Sequence, residues 1–370
     1  MKINTTKNSL FSALSETNKV IPIRTTLPIL SCVLLEARKD LLYITATDLE
    51  QTISTTIAAK TVEEGKTALS SGRFLEIVAA LPDTQIELSV SSDHQVEINS
   101  PQGVYNIIGK DPEEFPETPT LSGDQQLLIN TKEFLRIINS TTYAVSKDDL
   151  KPALCGIYLN IKENQMTAVS TDGHRLVKYK KTTNSTNPEG SIIVPVKFFN
   201  IIKTGQINNE TTTIKTSENH IEVNYNNTKI ITRIIKETFP DFNSVIPEEL
   251  KIHIKINKEK FLEAIKRVSI FSNKTTKQIN LTFNSNEITI STEDQETRSS
   301  AKEHIDCDFS GEGFTVGYNS QYLKEVVQHI QGQETNMFLS GPLTAAVFKS
   351  NKNEEGEEIT TLLMPLRTQE

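Results

Sequence analysis

A short apolar pattern recurs six times along the chain at almost even spacing. In each copy, apolar residues stand at positions i, i+1 and i+4, which places them on one face of a helix. The copies are Leu10/Phe11/Leu14, Phe74/Leu75/Val78, Phe134/Leu135/Ile138, Phe198/Phe199/Ile202, Phe261/Leu262/Ile265 and Tyr322/Leu323/Val326. Alternate copies lie about 124 residues apart. A repeat this long predicts a duplicated domain, and each domain then contains two related halves.

Three further landmarks recur with a similar step. They are a Thr–acid pair (Thr47-Asp48, Thr171-Asp172, Thr292-Glu293), an apolar residue followed by proline (Phe115-Pro116, Phe239-Pro240, Met364-Pro365) and an Ile-Asn pair before the first helix of each copy (Ile3-Asn4, Ile129-Asn130, Ile256-Asn257). Agreement among these registers makes duplication a better explanation than chance.

The chain of 370 residues therefore divides into three domains, each long enough to bury its own core. We place these domains at residues 1–120, 121–247 and 248–370. Proline-rich acidic segments at 111–119 and 239–249 lie at the two boundaries. Short stiff linkers of this kind hold neighbouring domains in a fixed orientation.

Between the helices, the sequence alternates at the period of β-strands. Residues 41–46 and 52–57 are rich in β-branched side chains, and a turn at 38–40 precedes the first of them. Similar pairs of segments occur in the second and third copies. We expect each half-domain to hold one helix and about four strands. Each domain is then an α+β layered structure, with two helices packed on antiparallel sheets.

Composition excludes several classes of site and location. Cys32, Cys155 and Cys307 are far apart and odd in number, and no CxxC motif or Cys/His cluster occurs. We therefore expect no metal site, no disulfide framework and a reducing cytoplasm. The sequence has no 18-residue apolar run and no signal-peptide core, so no membrane association is expected. No cofactor-binding motif is present, and we expect the protein to need no cofactor.

Charge is distributed unevenly. The net charge of −8 argues against broad, nonspecific binding to a polyanion. Basic residues nevertheless lie beside the apolar pattern on several predicted helices, including Arg73, Lys132, Arg136, Lys197 and a cluster within 256–274. On a single helix this would be an ordinary solvated face. On several repeated helices it indicates a shared basic surface.

Several short sequence strings indicate a particular protein family, which the periodic pattern alone does not. They are Arg24–Leu30 (RTTLPIL), Thr45–Glu50 (TATDLE), Thr171–Leu176 (TDGHRL), Ile193–Pro195 (IVP), Phe239–Phe242 (FPDF) and Met364–Arg367 (MPLR). With these strings at the matching repeat positions, the chain resembles the bacterial sliding clamp family, the β subunit of DNA polymerase III, over its whole length. The resemblance implies a head-to-tail homodimer of three-domain chains, which forms a ring with helices lining the hole and sheets outside.

The resemblance also implies a function without chemistry. A sliding clamp confers processivity on the replicative polymerase because it encircles double-stranded DNA. The implied partners are the DNA polymerase III α subunit, the clamp loader, and other replication and repair proteins that carry short clamp-binding peptides.

These peptides are expected to bind in a surface groove between domains two and three. By resemblance, the groove is formed by Leu154, Thr171, Gly173, His174, Arg175, Leu176, Pro240, Val245, Leu362, Met364, Pro365 and Leu366. An apolar groove with a few polar donors suits a peptide with Leu and Phe anchors, and a methionine accepts varied anchors. Ser244 stands where the family often has Arg, and Ala345 where Ser can occur. The polar rim therefore departs from the family pattern, while the apolar floor is kept.

The resemblance further implies contacts with DNA and with a second copy of the chain. Arg24 matches a family DNA-contact position, and Arg73, Lys147, Lys151 and Lys197 are expected companions. Two acids in the loop 146–151 weaken the case for its lysines, and exposed Lys and Arg often serve only solubility. At the dimer contact we expect Tyr105, Ile270 and Phe271. The alternative for these three is that they are ordinary core residues.

Two other functions stay open from the residues alone. Asp172 and His174 could act as acid and base in an enzyme, but no nucleophile motif, metal-ligand spacing or phosphate-binding loop accompanies them. A repeat-built peptide-binding scaffold that never surrounds DNA would need only the groove. The basic helices and Arg24 favour the clamp over this scaffold.

Overall fold

The structure is a computed structural model that describes residues 1–121, 125–182, 189–205 and 207–366. Arg367, the last residue of the C-terminal string, lies outside the described residues. The chain forms two compact units. Unit one comprises Met1–Leu135 and Lys197–Ile234, and unit two comprises Arg136–Val196 and Ile235–Glu370. The central third of the sequence therefore contributes to both units.

The six apolar patterns fall on six α-helices of the described chain. These are α1 (Lys7–Thr17), α2 (Ser71–Ala80), α3 (Thr131–Thr141), α4 (Val196–Lys203), α5 (Lys258–Ser269) and α6 (Ser320–His329). The i+4 residue of every pattern is buried, which confirms the predicted helices. Five pattern residues are less buried than the expected apolar face predicts. Phe11 is exposed, and Leu75, Leu135, Leu262 and Tyr322 are half-buried.

The Ile-Asn pair marks the start of a helix in two of its three copies. The side-chain oxygen of Asn130 accepts a hydrogen bond from the amide of Lys132 at 3.0 Å, and that of Asn257 from the amide of Lys260 at 3.0 Å. Each asparagine thereby satisfies an amide that the helix leaves unpaired. In the first copy, Thr6 is the capping residue instead. The pair Ile3-Asn4 lies within the preceding strand and does not cap α1.

Twenty-five strands occur in the described residues, and every strand pair among them is antiparallel. They are β1 (Lys2–Thr6), β2 (Cys32–Arg38), β3 (Leu41–Thr47), β4 (Gln51–Ala58), β5 (Lys60–Glu63), β6 (Gly65–Ser70), β7 (Gln85–Val90), β8 (Gln95–Ser100), β9 (Gly103–Ile108), β10 (Gln125–Asn130), β11 (Gly156–Lys162), β12 (Gln165–Thr171), β13 (Arg175–Thr182), β14 (Gly190–Pro195), β15 (Thr211–Thr216), β16 (His220–Tyr225), β17 (Thr228–Arg233), β18 (Ile252–Asn257), β19 (Gln278–Asn284), β20 (Glu287–Asp294), β21 (Ser299–Asp308), β22 (Phe314–Asn319), β23 (Glu334–Leu339), β24 (Ala346–Lys349) and β25 (Glu357–Leu363).

Unit one contains two sheets. Their strand orders are β5-β1-β7-β8-β9 and β10-β15-β16-β17-β4-β3-β2-β6. The larger sheet joins the first and central thirds of the sequence where β4 pairs with β17, with Gln51 opposite Thr232. Ile53 and Ile230 lie opposite each other at this joint and are fully buried. The joint therefore has an apolar face as well as backbone hydrogen bonds.

Unit two contains one sheet of twelve strands, in the order β14-β11-β12-β13-β25-β24-β23-β18-β21-β20-β19-β22. It joins the central and C-terminal thirds of the sequence where β13 pairs with β25, with Arg175 opposite Leu363. Helices α5 and α6 pack on the sheet through a core that includes Phe261, Val326 and Ile290. The predicted helices-on-antiparallel-sheet architecture is confirmed in this unit.

One repeat landmark is displaced in the third copy. Thr47, Thr171 and Glu293 each lie six residues after the start of the second strand of a hairpin closed by a two-residue loop. Thr292 lies one residue earlier, and its hydroxyl donates to the carbonyl oxygen of Gln278 at 2.7 Å. The prediction that Thr292-Glu293 matches the other two Thr–acid pairs is therefore wrong by one residue.

Candidate peptide-binding groove

The segment 171–175 forms a tight turn between β12 and β13 of unit two. The Thr171 hydroxyl donates to the carbonyl oxygen of Arg175 at 2.6 Å and accepts from the amide of Gly173 at 3.1 Å. One carboxylate oxygen of Asp172 accepts from the amides of His174 and Arg175, both at 2.9 Å. Gly173 has a φ of +88°, which glycine adopts without strain. The turn leaves Gly173 and His174 exposed.

The guanidinium of Arg175 is buried within this turn, and each of its three nitrogens donates a hydrogen bond. Its side chain is only 6 % exposed, and its Nε donates to Asp172 at 3.1 Å. The other nitrogens donate to the Glu325 carboxylate and to the carbonyl oxygen of Tyr143, both at 2.5 Å. The guanidinium also lies over the ring of Tyr322, 4.7 Å from its centroid. Partial burial opposes ionisation of Glu325, yet the hydrogen bond from Arg175 lowers its pKa.

Two aromatic stacks flank this charged cluster. The His174 ring stacks on Tyr322 with centroids 5.7 Å apart, and Tyr143 stacks on His329 with centroids 3.9 Å apart. Burial raises the pKa of Tyr143 to about 12 and also raises the pKa of Tyr322. Both phenols therefore stay neutral at physiological pH. The stack on Tyr322 positions the exposed imidazole of His174 at the edge of the turn.

The apolar floor lies on three adjacent strands. Leu176 of β13 is opposite Leu362 of β25, which is in turn opposite Val347 of β24. All three are almost completely buried and cluster with Val169. Leu176 and Leu362 therefore support the groove from below and present little surface of their own. The half-buried rings of the 239–250 linker, including Phe242, pack against this cluster.

The accessible rim comes from the chain segments next to the turn. The amide of Met364 donates to the carbonyl oxygen of His174 at 2.8 Å, and the amide of Leu366 donates to that of Gly317 at 2.8 Å. These bonds fix the C-terminal segment beside the turn. Met364 is 43 % exposed and Val245 is 46 % exposed, so both offer apolar surface to a ligand.

The other predicted groove residues are divided between surface and interior. Pro240 is exposed, and Leu154, Pro365 and Leu366 are half-buried, whereas Thr171 is buried within the turn. The two positions that depart from the family pattern are also accounted for. The Ser244 hydroxyl donates to the carbonyl oxygen of Asp241 at 2.8 Å, and Ala345 is buried. The linker thus has a short hydroxyl, engaged in its own turn, where the family often has a long cation.

The five residues predicted to contact DNA are all exposed. Arg24, Arg73 and Lys197 belong to unit one, and Lys147 and Lys151 to unit two.

Two other charged residues that bear on the expected DNA contacts, Asp148 and Arg136, have partners in the structure. Asp148, one of the two acids that weaken the case for the lysines of the 146–151 loop, accepts from the amide of Leu150 at 3.1 Å and so stabilises that loop. Arg136 pairs with Glu354 at 3.2 Å and with the buried carboxylate of Glu357. Arg136 therefore contributes less positive charge to a shared basic surface than the sequence indicates.

The three predicted dimer residues are not core residues. Tyr105, Ile270 and Phe271 expose 36 %, 77 % and 42 % of their surfaces, so the core alternative is wrong. Tyr105 lies on β9, which has a neighbour only on one side in the described chain. In β21, only Cys307 and Asp308 pair with β18, so residues 299–306 have a free edge on the side away from β20.

Sequence reasoning missed four residues that shape the groove. Tyr322 was identified only as part of a helix pattern, and Tyr143, Glu325 and Val347 were not identified at all. Tyr322 carried a usable signal, because it is the only tyrosine at the first position of the six apolar patterns. Glu325 lies three residues further on, on the same helix face. Nothing in the sequence marks Tyr143 or Val347.

Three family models match consecutive parts of the chain. The N-terminal domain of the DNA polymerase III beta subunit matches residues 1–119, the central domain 128–241 and the C-terminal domain 243–367. The chain belongs to the DNA polymerase III beta subunit family. Members of this sliding clamp family are non-catalytic processivity factors. The enzyme interpretation of Asp172 and His174 is therefore wrong, and Asp172 serves to hold the turn.

Similar proteins cover the full length of the chain. The beta sliding clamp of Chlamydia muridarum is 25 % identical over 369 residues, with 99 % of each chain covered. That of Staphylococcus aureus strain Mu50 is 27 % identical over 380 residues, with 100 % of each chain covered. The solved sliding clamp of Bacillus subtilis matches with a TM-score of 0.94 at 24 % identity, and that of C. crescentus with 0.92 at 26 %, each with full coverage of both chains.

The three-domain clamp fold with antiparallel sheets is thereby confirmed. Membership of this family implies that DNA and a polymerase are partners and that the chain forms a dimer. In the part of the chain that the structure describes, no helix is long and apolar enough to cross a membrane.

Proposed function

We propose that two copies of this chain close around double-stranded DNA and hold a polymerase there through a peptide bound in the groove of unit two. The groove assignment depends on one observation above all. The exposed Met364 and the turn residue His174 are joined by a backbone hydrogen bond of 2.8 Å, two residues along both chain segments from the Leu176–Leu362 pair of the floor. An apolar floor with a partly exposed Met and a polar turn suits a short peptide with Leu and Phe anchors.

The finer details of this function follow from the family and from the sequence. We propose that the peptides come from the DNA polymerase III α subunit, the clamp loader and other replication and repair proteins, and that the clamp works in the cytoplasm. We also propose three domains at 1–120, 121–247 and 248–370. The proline-rich segments near 111–119 and 239–249 support these boundaries.

The dimer contact would repeat a strand joint that each unit already contains. In unit one, Gln51 of β4 is opposite Thr232 of β17, and in unit two, Arg175 of β13 is opposite Leu363 of β25. β4 and β13 each follow a hairpin turn of their repeat, and β21 occupies the same place in the third repeat. β17 and β25 are each the last strand of their repeat, and β9 is the last strand of the first repeat. Both have a free edge in the described chain, and unpaired edges of this length favour pairing with another chain.

The hairpin registers define which residues correspond. Thr47 pairs with Thr52 and Thr171 with Leu176 at the ends of the first two hairpins. Glu293, which lies equally far along its strand, pairs with Ser300, and the third hairpin continues by one further pair, Asp294 with Ser299. Ser299 therefore corresponds to Gln51 and Arg175. On the other side of the joint, Gly103 of β9 and Thr228 of β17 correspond, because each is the first strand residue after a two-residue hairpin loop. Ile107 therefore corresponds to Thr232.

This correspondence predicts Ser299 opposite Ile107 of the partner subunit, and hence Ala301 opposite the partner's Tyr105. Ala301 packs against the core beneath α5, and Tyr105 lies opposite the buried Ile98. Both side chains therefore face the helix side of their sheets. Ile270 and Phe271 follow α5 on that same side, so this register places the predicted dimer residues together.

Disulfide cross-linking tests this register. Val104 and Lys302 are opposite each other in the proposed dimer, so the double variant Val104→Cys/Lys302→Cys should form an intersubunit disulfide under mild oxidation. Val104→Cys/His304→Cys is the matched control, because a two-residue shift moves the sulfur about 7 Å away, beyond disulfide reach. Equal cross-linking in both variants, or none in either, would contradict the register.

The encircling model has its own test. A clamp loaded onto circular DNA should stay bound and should slide off after the circle is cut. Its direct affinity for linear duplex should be weak and fall steeply with salt, by a log–log slope of about −0.9 per phosphate neutralised. Arg24→Ala should weaken both this affinity and loading. Equal release from intact and cut circles would favour a peptide-binding scaffold that never surrounds DNA.

A further inference from the structure

Next to the groove floor, unit two has a small pocket of about 180 Å³. Three adjacent strands form its base, and its wall is formed by the linker residues Ile246, Pro247, Glu248 and Leu250. The base residues are Lys178 and Lys180 of β13, Glu358 and Thr360 of β25, and Val347 and Lys349 of β24. A pocket of this size is smaller than the 300 Å³ or more of typical small-molecule sites, and it suits a single side chain.

The pocket is continuous with the groove. Val347 belongs to the floor cluster and also lines the pocket, and Ile246 packs against the floor as well. On β13, Lys178 is two residues beyond the floor residue Leu176, so both side chains project from the same face of the sheet. That spacing corresponds to about 7 Å along the strand. A peptide whose anchor covers Leu176 can therefore place a neighbouring side chain in the pocket.

Charge in the pocket favours an anion. The three lysines are half-buried, and none of them forms an ion pair within the described chain. Lys178 donates a hydrogen bond to the side-chain oxygen of Asn243 at 2.7 Å. The two glutamates of the pocket, Glu248 and Glu358, are exposed and better solvated. Burial and the nearby Lys180 lower the pKa of Lys178, and the carboxylate of Glu358 offsets this only in part.

We propose that this pocket, termed the lysine pocket, binds an acidic side chain of the same peptide whose apolar anchors occupy the groove. The inference rests on the proposed function, because it requires a peptide in the groove. It adds a preference for partners that carry Asp or Glu beside their Leu and Phe anchors. The recognition is by charge-assisted hydrogen bonds from Lys180 and Lys349, with Lys178 held in place by Asn243.

Peptide binding to the full-length clamp tests this proposal. Fluorescent peptides with Leu and Phe anchors are compared in pairs, in which one peptide carries an Asp-Asp extension and the other an Asn-Asn extension. One pair has the extension at the N-terminal end and a second pair has it at the C-terminal end. All the peptides have an amidated C-terminus. At low salt, the acidic extension at one end should improve the affinity about fivefold, the upper range for a partly exposed ion pair. The variant Lys180→Gln/Lys349→Gln should remove this gain and leave the affinity for the Asn-Asn peptide unchanged.

The control variant and the possible results separate this proposal from the groove assignment. Lys162→Gln changes an exposed lysine of the same sheet outside the pocket and should retain the gain. Binding of the Asn-Asn peptide without any gain from Asp-Asp overturns the lysine pocket and leaves the groove intact. No binding of either peptide overturns the groove assignment. A gain that Lys162→Gln reduces as much as the pocket variant indicates general charge attraction and overturns the pocket. Because the peptides are amidated, a terminal carboxylate cannot be the source of the gain.

Discussion

The turns Thr47–Gln51 in unit one and Thr171–Arg175 in unit two have the same backbone and different surroundings. In each turn the threonine hydroxyl donates to the carbonyl of the fifth residue, at 2.8 and 2.6 Å. In each, the aspartate accepts from the fourth and fifth amides, at 3.0 and 2.7 Å in unit one and 2.9 Å for both in unit two. The third residue is left-handed in both, with φ of +76° at Leu49 and +88° at Gly173.

The side chains at the third and fifth positions distinguish the two turns. Gln51 is 2 % exposed, and its Nε2 has no hydrogen-bond partner. Arg175 is also buried, but it pairs with Asp172 and Glu325. Leu49 exposes an apolar side chain where Gly173 has none. The shared backbone therefore accompanies a strand joint within one sheet of each unit, and the proposed groove depends on side chains that only the second turn carries.

The largest expected difference between the turns concerns their buried fifth residues. Arg175→Ala leaves the Glu325 carboxylate without its partner and should lower the free energy of unfolding by about 3 kcal/mol, at the lower end for a broken buried pair because Glu325 is partly exposed. Gln51→Leu removes an unpaired buried donor at the corresponding position and should change it by less than about 1 kcal/mol. Urea denaturation of both variants measures the two effects. Similar losses in both would mean that the Arg175 cluster has no special role.

The pH dependence of stability also distinguishes the second turn from the first. The folded-state pKa of Glu325 is lowered below its ordinary value of 4.5. Its pairing with Arg175 therefore stabilises the protein above that pH, and the contribution disappears as pH falls through the lowered value. At pH 7, Glu325→Gln should be less stable than the native protein by about 1 kcal/mol. The difference should shrink on acidification below pH 4.5 in a series of denaturation curves. A difference that stayed constant down to pH 3 would contradict the assignment.

The smallest expected effect concerns the left-handed third residue. Gly173→Leu should fold, because Leu49 adopts the same conformation in unit one, and should cost about 1 kcal/mol of stability. The new side chain would also cover the groove edge and weaken peptide binding. Leu49→Gly should change stability by less than about 1 kcal/mol and leave peptide binding unchanged, since relief of strain is offset by backbone entropy. Failure of Gly173→Leu to fold would show that the turns are not equivalent.

Much of the fold could be predicted from local sequence patterns. The six apolar patterns each lie on a helix, and the β-branched segments each lie on a strand, because 3.6-residue and two-residue periods directly reflect burial on one face. The shift of Thr292 could not be predicted. It depends on hairpin loop lengths and strand pairing, which a linear repeat does not specify.

The site was predictable in outline and incomplete in its supporting residues. The turn 171–175 and Met364 were identified from their motifs. The hydrogen bonds of Arg175 to Glu325 and Tyr143 were not predicted. Both partners are far from Arg175 in the sequence, and only the folded sheet and α6 bring them close. The lysine pocket was missed for the same reason, since Lys178 and Lys180 of β13 and Lys349 of β24 come together only because β25 pairs with both strands.

Peptide stoichiometry tests most directly whether the groove exists at the second turn alone. Isothermal titration of the clamp with a Leu- and Phe-anchored peptide should give one bound peptide per chain. Met364→Ala should weaken it about 5- to 150-fold, from the loss of roughly 1–3 kcal/mol of apolar burial, while Leu49→Ala, at the exposed position of the first turn, should bind as the native protein does. Two peptides per chain, or an equal loss of affinity in Leu49→Ala, would contradict the account.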